Sequence, residues 1–273
     1  MNILRKEKQQ VAIGSLAEGS SIRSIERLTG IHRDTIMRLG VRVGKACEAI
    51  LDQKMRGLNC SRIEVDELWS YCAKKQVHTT NADRRAGLGD CWTFLSIDPT
   101  TKLMPSFLVG RRDLYHATVF MEDLASRLKN RIQLSTDALS AYADAVERAF
   151  GAEIDYGQIV KQYASPPRED QRRYSPATLV AVYKSAVNGV PNPNKVCTSY
   201  IESANLTVRT HCKRLARLIL AFSKKLDNFK AAIALHLAYY NFVKTHGSLR
   251  CSPAMAAGIE KSHWTIADLI NES

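Results

Sequence analysis

Apolar positions recur at helical spacing through the first 56 residues. Lys6–Glu18 carries Val11, Ile13, Leu16 and Ala17 and ends at Gly19-Ser20. Ser21 is placed to cap a short helix, Ile22–Leu28, with Ile22, Ile25 and Leu28 at helical spacing. Thr29-Gly30 reads as a turn, with the glycine free to take the left-handed conformation. A third helix runs from about His32 toward Met55 through Ile36, Leu39, Val43 and Ile50. Helix, short helix, Gly-containing turn and basic helix is the helix-turn-helix pattern. It puts Arg33, Thr35 and Arg38 near the start of the recognition helix, where DNA base edges are read. We assign residues 1–57 to this DNA-binding domain.

After Gly57-Leu58-Asn59 the period changes to two. In Arg62–Tyr71, Ile63, Val65, Trp69 and Tyr71 face one way, and Glu64 and Asp66 the other. Cys91–Ile97 and Leu103–Val109 are further strands, separated by a turn at Asp98-Pro-Thr-Thr. Asp113 caps a helix from about His116 to Lys129, and Arg131–Thr136 is a fourth strand. Asp137 then leads into a helix through Tyr142, Val146 and Phe150, and Glu153–Tyr163 is a fifth strand. The order β-β-β-α-β-α-β predicts an α+β (α/β) domain over 58–273, a mixed five-stranded sheet with flanking helices. Residues 164–199, with five prolines and the run SPPREDQRRYSP, read as an insertion in which Thr178–Tyr183 makes at most a short strand. Tyr200–Lys230 reads as one long helical segment with an apolar stripe of Leu215, Leu218, Ile219, Phe222, Leu226 and Phe229. Ala231–Val243 continues as a buried helix.

Charge adds a partner to this picture. The 273-residue chain has 39 Lys+Arg against 27 Asp+Glu, a net +12. Residues 1–45 hold nine basic and four acidic residues (+5), and 203–230 hold seven basic and one acidic (+6), so the remainder is close to neutral. Two basic blocks around a near-neutral body suit a polyanion held at two places. Seven cysteines, an odd number with no CxxC, argue against a disulfide framework or a cysteine-rich zinc site. The longest stretch without a charged side chain, Ala231–Val243, is 13 residues and too short to span a bilayer. With no apolar leader at the N-terminus, a cytoplasmic protein without a membrane partner is expected.

Three carboxylates carry the candidate chemistry. Asp66 sits inside a strand, where an aspartate is costly unless used; Asp137 ends another apolar strand; Glu202 starts a long helix. In a β-β-β-α-β sheet the first and fourth strands become neighbours, which sets Asp66 beside Asp137. Carboxylates that close repel and raise a pKa, and a divalent cation such as Mg²⁺ removes the conflict. Paired ions about 3.5–4 Å apart clamp the attacking and leaving oxygens of a phosphodiester. On the helix of Glu202, offsets of 4, 7 and 11 put Leu206, Arg209 and Lys213 on the same face, with Arg217 a turn further. There is no P-loop, GxGxxG or GxSxG to anchor an ATP-driven or serine-hydrolase reading.

These residues lie in blocks that resemble the transposases of bacterial insertion sequences, most closely the IS1 family. The blocks are IEVDELWSYC around Asp66, LSTDALSAY around Asp137, SYIESANLTVRTHCKRLARLILAFSKK around Glu202, and YYNFVKTHGSLRCSPAMAAGI at Tyr239–Ile259. The resemblance implies an RNase H-like core and a DDE triad of Asp66, Asp137 and Glu202 as catalytic and metal-ligating residues. It also implies two Mg²⁺ or Mn²⁺ ions, and Arg209 as the basic residue that follows the catalytic Glu. It implies action on double-stranded DNA, both element ends and target, by a homo-oligomer in a prokaryotic cytoplasm. Arg33, Thr35, Arg38, Arg209, Lys213 and Arg217 are the expected DNA contacts. Members of that family commonly carry a cysteine-rich zinc element before the helix-turn-helix, which has no counterpart in this sequence. An RNase H-like nuclease, or an inactive DNA-binding regulator derived from a transposase, are the alternatives.

Overall fold

The structure is a computed structural model that describes residues 4–164, 178–217 and 219–272. The proline- and arginine-rich run at 165–176 and Leu218 lie outside them. β1 (Arg62–Cys72) forms the middle of one sheet with β2 (Gly89–Ile97), β3 (Phe107–Gly110), β4 (Ile132–Asp137), β5 (Ile154–Tyr163) and β6 (Leu179–Asn188). The strand order is β3-β2-β1-β4-β5-β6. β1 is antiparallel to β2 and parallel to β4, and β4 is parallel to β5. The first five strands have the RNase H-like arrangement. The sheet has six strands rather than the expected five, because Leu179–Asn188 pairs antiparallel along β5 for nearly its whole length. β3 is shorter than its apolar run: Pro105 cannot donate to a ladder, and Met104 N–H instead donates to Asn241 Oδ1 at 3.0 Å.

Both faces of the sheet are covered, so β1 is buried on both sides. Phe94, the cross-strand partner of Glu67, packs on Phe120 of α5 (Leu114–Arg127) and on Tyr142 of α6 (Ser140–Phe150). α7 (Ser199–His211) takes the opposite face, where Glu64 and Asp66 point. Between β1 and β2 the chain makes an excursion that the sequence pattern did not suggest, with a short helix at Asn81–Arg85 (α4) closed by a Thr80–Asp83 capping box.

The N-terminal helices are α1 (Lys6–Ala17), α2 (Ile22–Thr29) and α3 (Arg33–Lys54). Ser21 caps α2 by accepting from Ser24 N–H, and Gly30 ends it with φ +70°. α3 packs along α8 (Leu226–Ala238) closely enough that a Cβ on Gly44 would sit 2.1 Å from the Ala231 carbonyl oxygen. Arg127, buried at the end of α5, donates to the Leu51 and Met55 carbonyls at the end of α3, each at 3.3 Å. The Met55 carbonyl, just past the end of α3, is an acceptor the helix terminus leaves open, whereas the Leu51 carbonyl also accepts from the Met55 N–H. The N-terminal helices and the sheet domain share one apolar core.

The expected long helix over Tyr200–Lys230 is not one element. α7 stops at His211, and helix resumes only at Leu226. The chain between is drawn along β1: Ser70 Oγ donates to the Arg214 carbonyl (3.3 Å) and Ala73 N–H to the Ser223 carbonyl (2.7 Å). These tertiary bonds outweigh the helical pattern of an otherwise helix-compatible stretch. The apolar run after α8 ends in a π-helical turn, Tyr239–Val243. Two short helices complete the chain, Pro253–Ala256 and Ile266–Asn271. Among the described residues no helix is long and apolar enough to cross a membrane.

Candidate active site

The β1–β4 ladder aligns Arg62, Ile63 and Glu64 with Gln133, Leu134 and Ser135, a constant offset of 71. The same offset sets Asp66 level with Asp137, where β4 ends. One oxygen each of Asp66, Asp137 and Glu67 lies within 4.8 Å of the others.

Asp66 Oδ1 accepts from the Glu67 N–H at 2.8 Å, and its Oδ2 accepts from Asn205 Nδ2 on α7 at 2.7 Å. Burial pushes its pKa up to about 7, and the charges of Glu67, Asp137 and Glu202 add to the rise. Glu67 is buried on the α5/α6 side. One oxygen accepts from the Tyr142 hydroxyl at 2.8 Å, and the other pairs with the Arg112 guanidinium. Its pKa is raised by burial and then by Asp137, against the pull of Tyr142 and Arg112. Arg112 also reaches Asp137, with Nη2 3.6 Å from Oδ2, and its guanidinium lies 5.0 Å from the centre of the Trp92 ring. Asp137 Oδ1 accepts from the Leu139 N–H at 3.0 Å, which fixes the carboxylate at the strand-to-helix turn.

Glu202 stands in the first turn of α7, on the side of the sheet that Asp66 faces. Its carboxylate is engaged by Lys161 of β5 and by Thr198 Oγ1 at 2.7 Å. It raises the Asp66 pKa, so the two are electrostatically coupled, but it is not part of the close group. The structure thus brings Asp66 and Asp137 together with Glu67 and leaves Glu202 beside them on Lys161.

The expected basic stripe needs a correction. Arg209 lies on α7, half-buried, and donates to the Leu215 carbonyl at 3.1 Å; burial and the charge of Arg217 push its pKa down to about 10. Lys213 and Arg217 follow the end of the helix, so they do not extend the face of Glu202. Among the described residues none of the three enters an ion pair. Arg33 and Arg38 are exposed on the first two turns of α3, with Thr35 half-buried between them.

Glu67, Arg112 and Asn205 escaped the sequence reading. Glu67 did carry a signal: it occupies the odd-numbered apolar register between Val65 and Trp69, where a carboxylate needs a partner. Arg112 and Asn205 carried none, because only the fold brings their side chains to the carboxylates.

No family model matches the chain, and no curated protein matches it. Among solved structures it is similar to a chain of the cryo-EM structure of a piggyBac transposase synaptic complex with hairpin DNA. That likeness has a TM-score of 0.42 and 10% identity, and covers 97% of this chain and 69% of the other.

Proposed function

We propose that the protein is a DDE-type transposase of the IS1 kind, which cleaves DNA at element ends and joins the freed 3′-hydroxyl to target DNA. The observation that carries this reading is the placing of Asp66 beside Asp137 on adjacent parallel strands, their oxygens within 4.8 Å, with Asp66 pushed up to about 7 by burial first and by the neighbouring carboxylates second. The four sequence blocks that resemble IS1 transposases support it, since the first two hold these two aspartates.

The donor set fits a hard divalent cation, Mg²⁺ or Mn²⁺. Asp66 and Asp137 offer carboxylate oxygens, and burial together with neighbouring charges makes ionised Asp66 costly unless a cation sits there. Glu67 has both oxygens committed, to Tyr142 and Arg112, so Glu202 is the better third ligand once it leaves Lys161. One or two bound cations would supply Lewis acidity toward the phosphodiester and a nucleophile at neutral pH. The chain's own part is to hold and orient: Asn205 and the Glu67 N–H fix Asp66, Leu139 N–H fixes Asp137, and Arg112 offsets the charge of the group. Arg33, Thr35 and Arg38 would read duplex DNA, with Arg209, Lys213 and Arg217 near its backbone. Residues 1–57 would act as the DNA-binding domain and 58–273 as the catalytic one, in a homo-oligomer working in a prokaryotic cytoplasm.

The test is a cleavage assay on duplex DNA carrying the inverted repeats that flank the gene, with Mg²⁺ or Mn²⁺ against EDTA. Metal-dependent nicking at the repeat ends, lost in Asp66→Asn with DNA binding kept, is expected. Cleavage of any duplex without regard to the repeats would favour a nuclease. Specific binding with no cleavage in either metal would favour a regulator and refute the transposase.

A further inference from the structure

Two successive even-numbered residues of β1 grip α7. Glu64 is 1% exposed, yet its side chain has no cationic partner within ion-pair distance among the described residues. Its Oε2 instead accepts from two backbone N–H groups at the start of α7, Tyr200 at 2.9 Å and Ile201 at 3.0 Å. Those are among the donors a helix leaves open at its N-terminus, and the helix dipole favours a negative charge there. The residue in the capping position, Thr198, makes no side-chain cap, because its hydroxyl donates to Glu202. The cap therefore comes from a strand 136 residues earlier in the chain.

The second grip lies one turn along. Asn205, four residues past Ile201, donates to Asp66, two residues past Glu64. Two residues of strand advance about 6.6 Å, and four residues of helix advance about 6 Å. The two spacings match, so both contacts form together without bending either element. Glu202 sits between the two grips on the helix, and Asp66 is one of them.

We infer that Glu64 is a positioning residue, which fixes the helix bearing Glu202 against the strand bearing Asp66. It works through the reach of its carboxylate to the Tyr200 and Ile201 amides and touches neither DNA nor metal. The catalytic part of this inference rests on the transposase reading; the anchoring part does not.

Two conservative variants separate reach from charge. Glu64→Asp keeps the charge and falls one methylene short of the amides. Glu64→Gln loses the charge and keeps an oxygen within reach. Hydrogen exchange of the full chain should show the Tyr200 and Ile201 amides exchanging about tenfold faster in Glu64→Asp, in line with a lost hydrogen bond, and near the wild-type rate in Glu64→Gln. Single-turnover Mn²⁺-dependent cleavage should fall about 100-fold in Glu64→Asp, the scale of an ångström-level misplacement, with DNA affinity unchanged. Glu64→Gln should restore most of that rate. The reverse order, Glu64→Gln slow and Glu64→Asp near wild type, would mean that the charge acts and overturns the inference. So would wild-type exchange at both amides in Glu64→Asp. If the wild-type protein does not cleave at all, the transposase reading falls, and the exchange measurement still decides the anchor.

Discussion

Asp66→Asn exchanges a charge for a neutral amide of nearly the same shape, so its effect isolates the electrostatics of the carboxylate group. Asp66 rises from an ordinary 3.8 to about 7, roughly three pH units, which corresponds to about 4 kcal/mol between its two protonation states. Between about pH 4 and 7 the folded protein keeps a proton that the unfolded chain has released. This contribution therefore favours the fold below pH 4, declines as pH rises, and is gone above pH 7. Asparagine is neutral throughout and escapes the decline. It loses part of the gain, because one amide cannot accept from both the Glu67 N–H and Asn205 on two oxygens, a cost of about 1 kcal/mol. The variant should be more stable than wild type by about 2–3 kcal/mol at pH 8, or about 4–6 °C in Tm at about 2 °C per kcal/mol for a chain of this size. At pH 4 the difference should vanish or change sign. Thermal melts in EDTA across pH 4–8, read as variant minus wild type, cancel every other titrating group. Mn²⁺ added at pH 8 should raise the wild-type Tm, by about 2.7 kcal/mol of stabilisation at a hundredfold excess over Kd, and leave the variant unmoved. A variant less stable than wild type at pH 8, or one that gains as much from Mn²⁺, would refute the reasoning.

Burial, with help from His211, pushes His236 down to about 4, so its contribution to stability is complete above pH 6.5 and is lost as pH falls toward 4. His236→Leu should flatten that loss, at most about 3 kcal/mol for the roughly 2.5-unit depression, measured by urea midpoints at pH 7 and 4.5. Gly44→Ala puts a methyl against the Ala231 carbonyl and should destabilise by about 1–3 kcal/mol or more, seen as a lowered Tm; an unchanged Tm would deny the close α3–α8 contact. Arg33→Ala and Arg38→Ala should each lose about 1–3 kcal/mol of discrimination between repeat-end and random duplex DNA, read by fluorescence anisotropy on both duplexes. Discrimination that stays put would take base reading away from that face of α3.

How far the fold was readable depends on which interactions decide each element. The period-two runs and the turn at Asp98–Thr101 are local, and the expected meeting of the first and fourth strands holds: the meander fills one edge of β1, and β4 takes the other rather than the free edge of β3. The pairing of Asp66 with Asp137 follows from that adjacency plus strand register. Two features were not local. Residues 212–225 have a helical pattern, but bonds from Ser70 and Ala73 pull them onto β1, and nothing within the segment announces this. The stripe Glu202–Arg209–Lys213–Arg217 assumed a continuous helix and fails for its last two members. The sixth strand was underestimated for a related reason: Leu179–Asn188 is exposed along most of its length, so burial imposes no clear alternation on it, and its strand character comes from pairing with β5.

The same electrostatics that marks the site also accounts for the one carboxylate that stands apart. Asp66, Glu67 and Asp137 already share a space in which their oxygens lie within 4.8 Å of one another, with Arg112 as the cation that touches two of them. Each charge brought closer raises the cost of ionising Asp66, which stands near 7. Glu202 has a better arrangement available: Lys161 on the neighbouring strand neutralises it, and Thr198 holds the same oxygen. Its backbone is nevertheless fixed over β1, by Glu64 on one side and Asn205 on the other. On the proposed reading, Glu202 would exchange Lys161 for a divalent cation shared with Asp66 while its helix stays held at these two points. The attraction lost at Lys161, a single positive charge, would then be replaced by attraction to a doubly charged ion rather than forfeited.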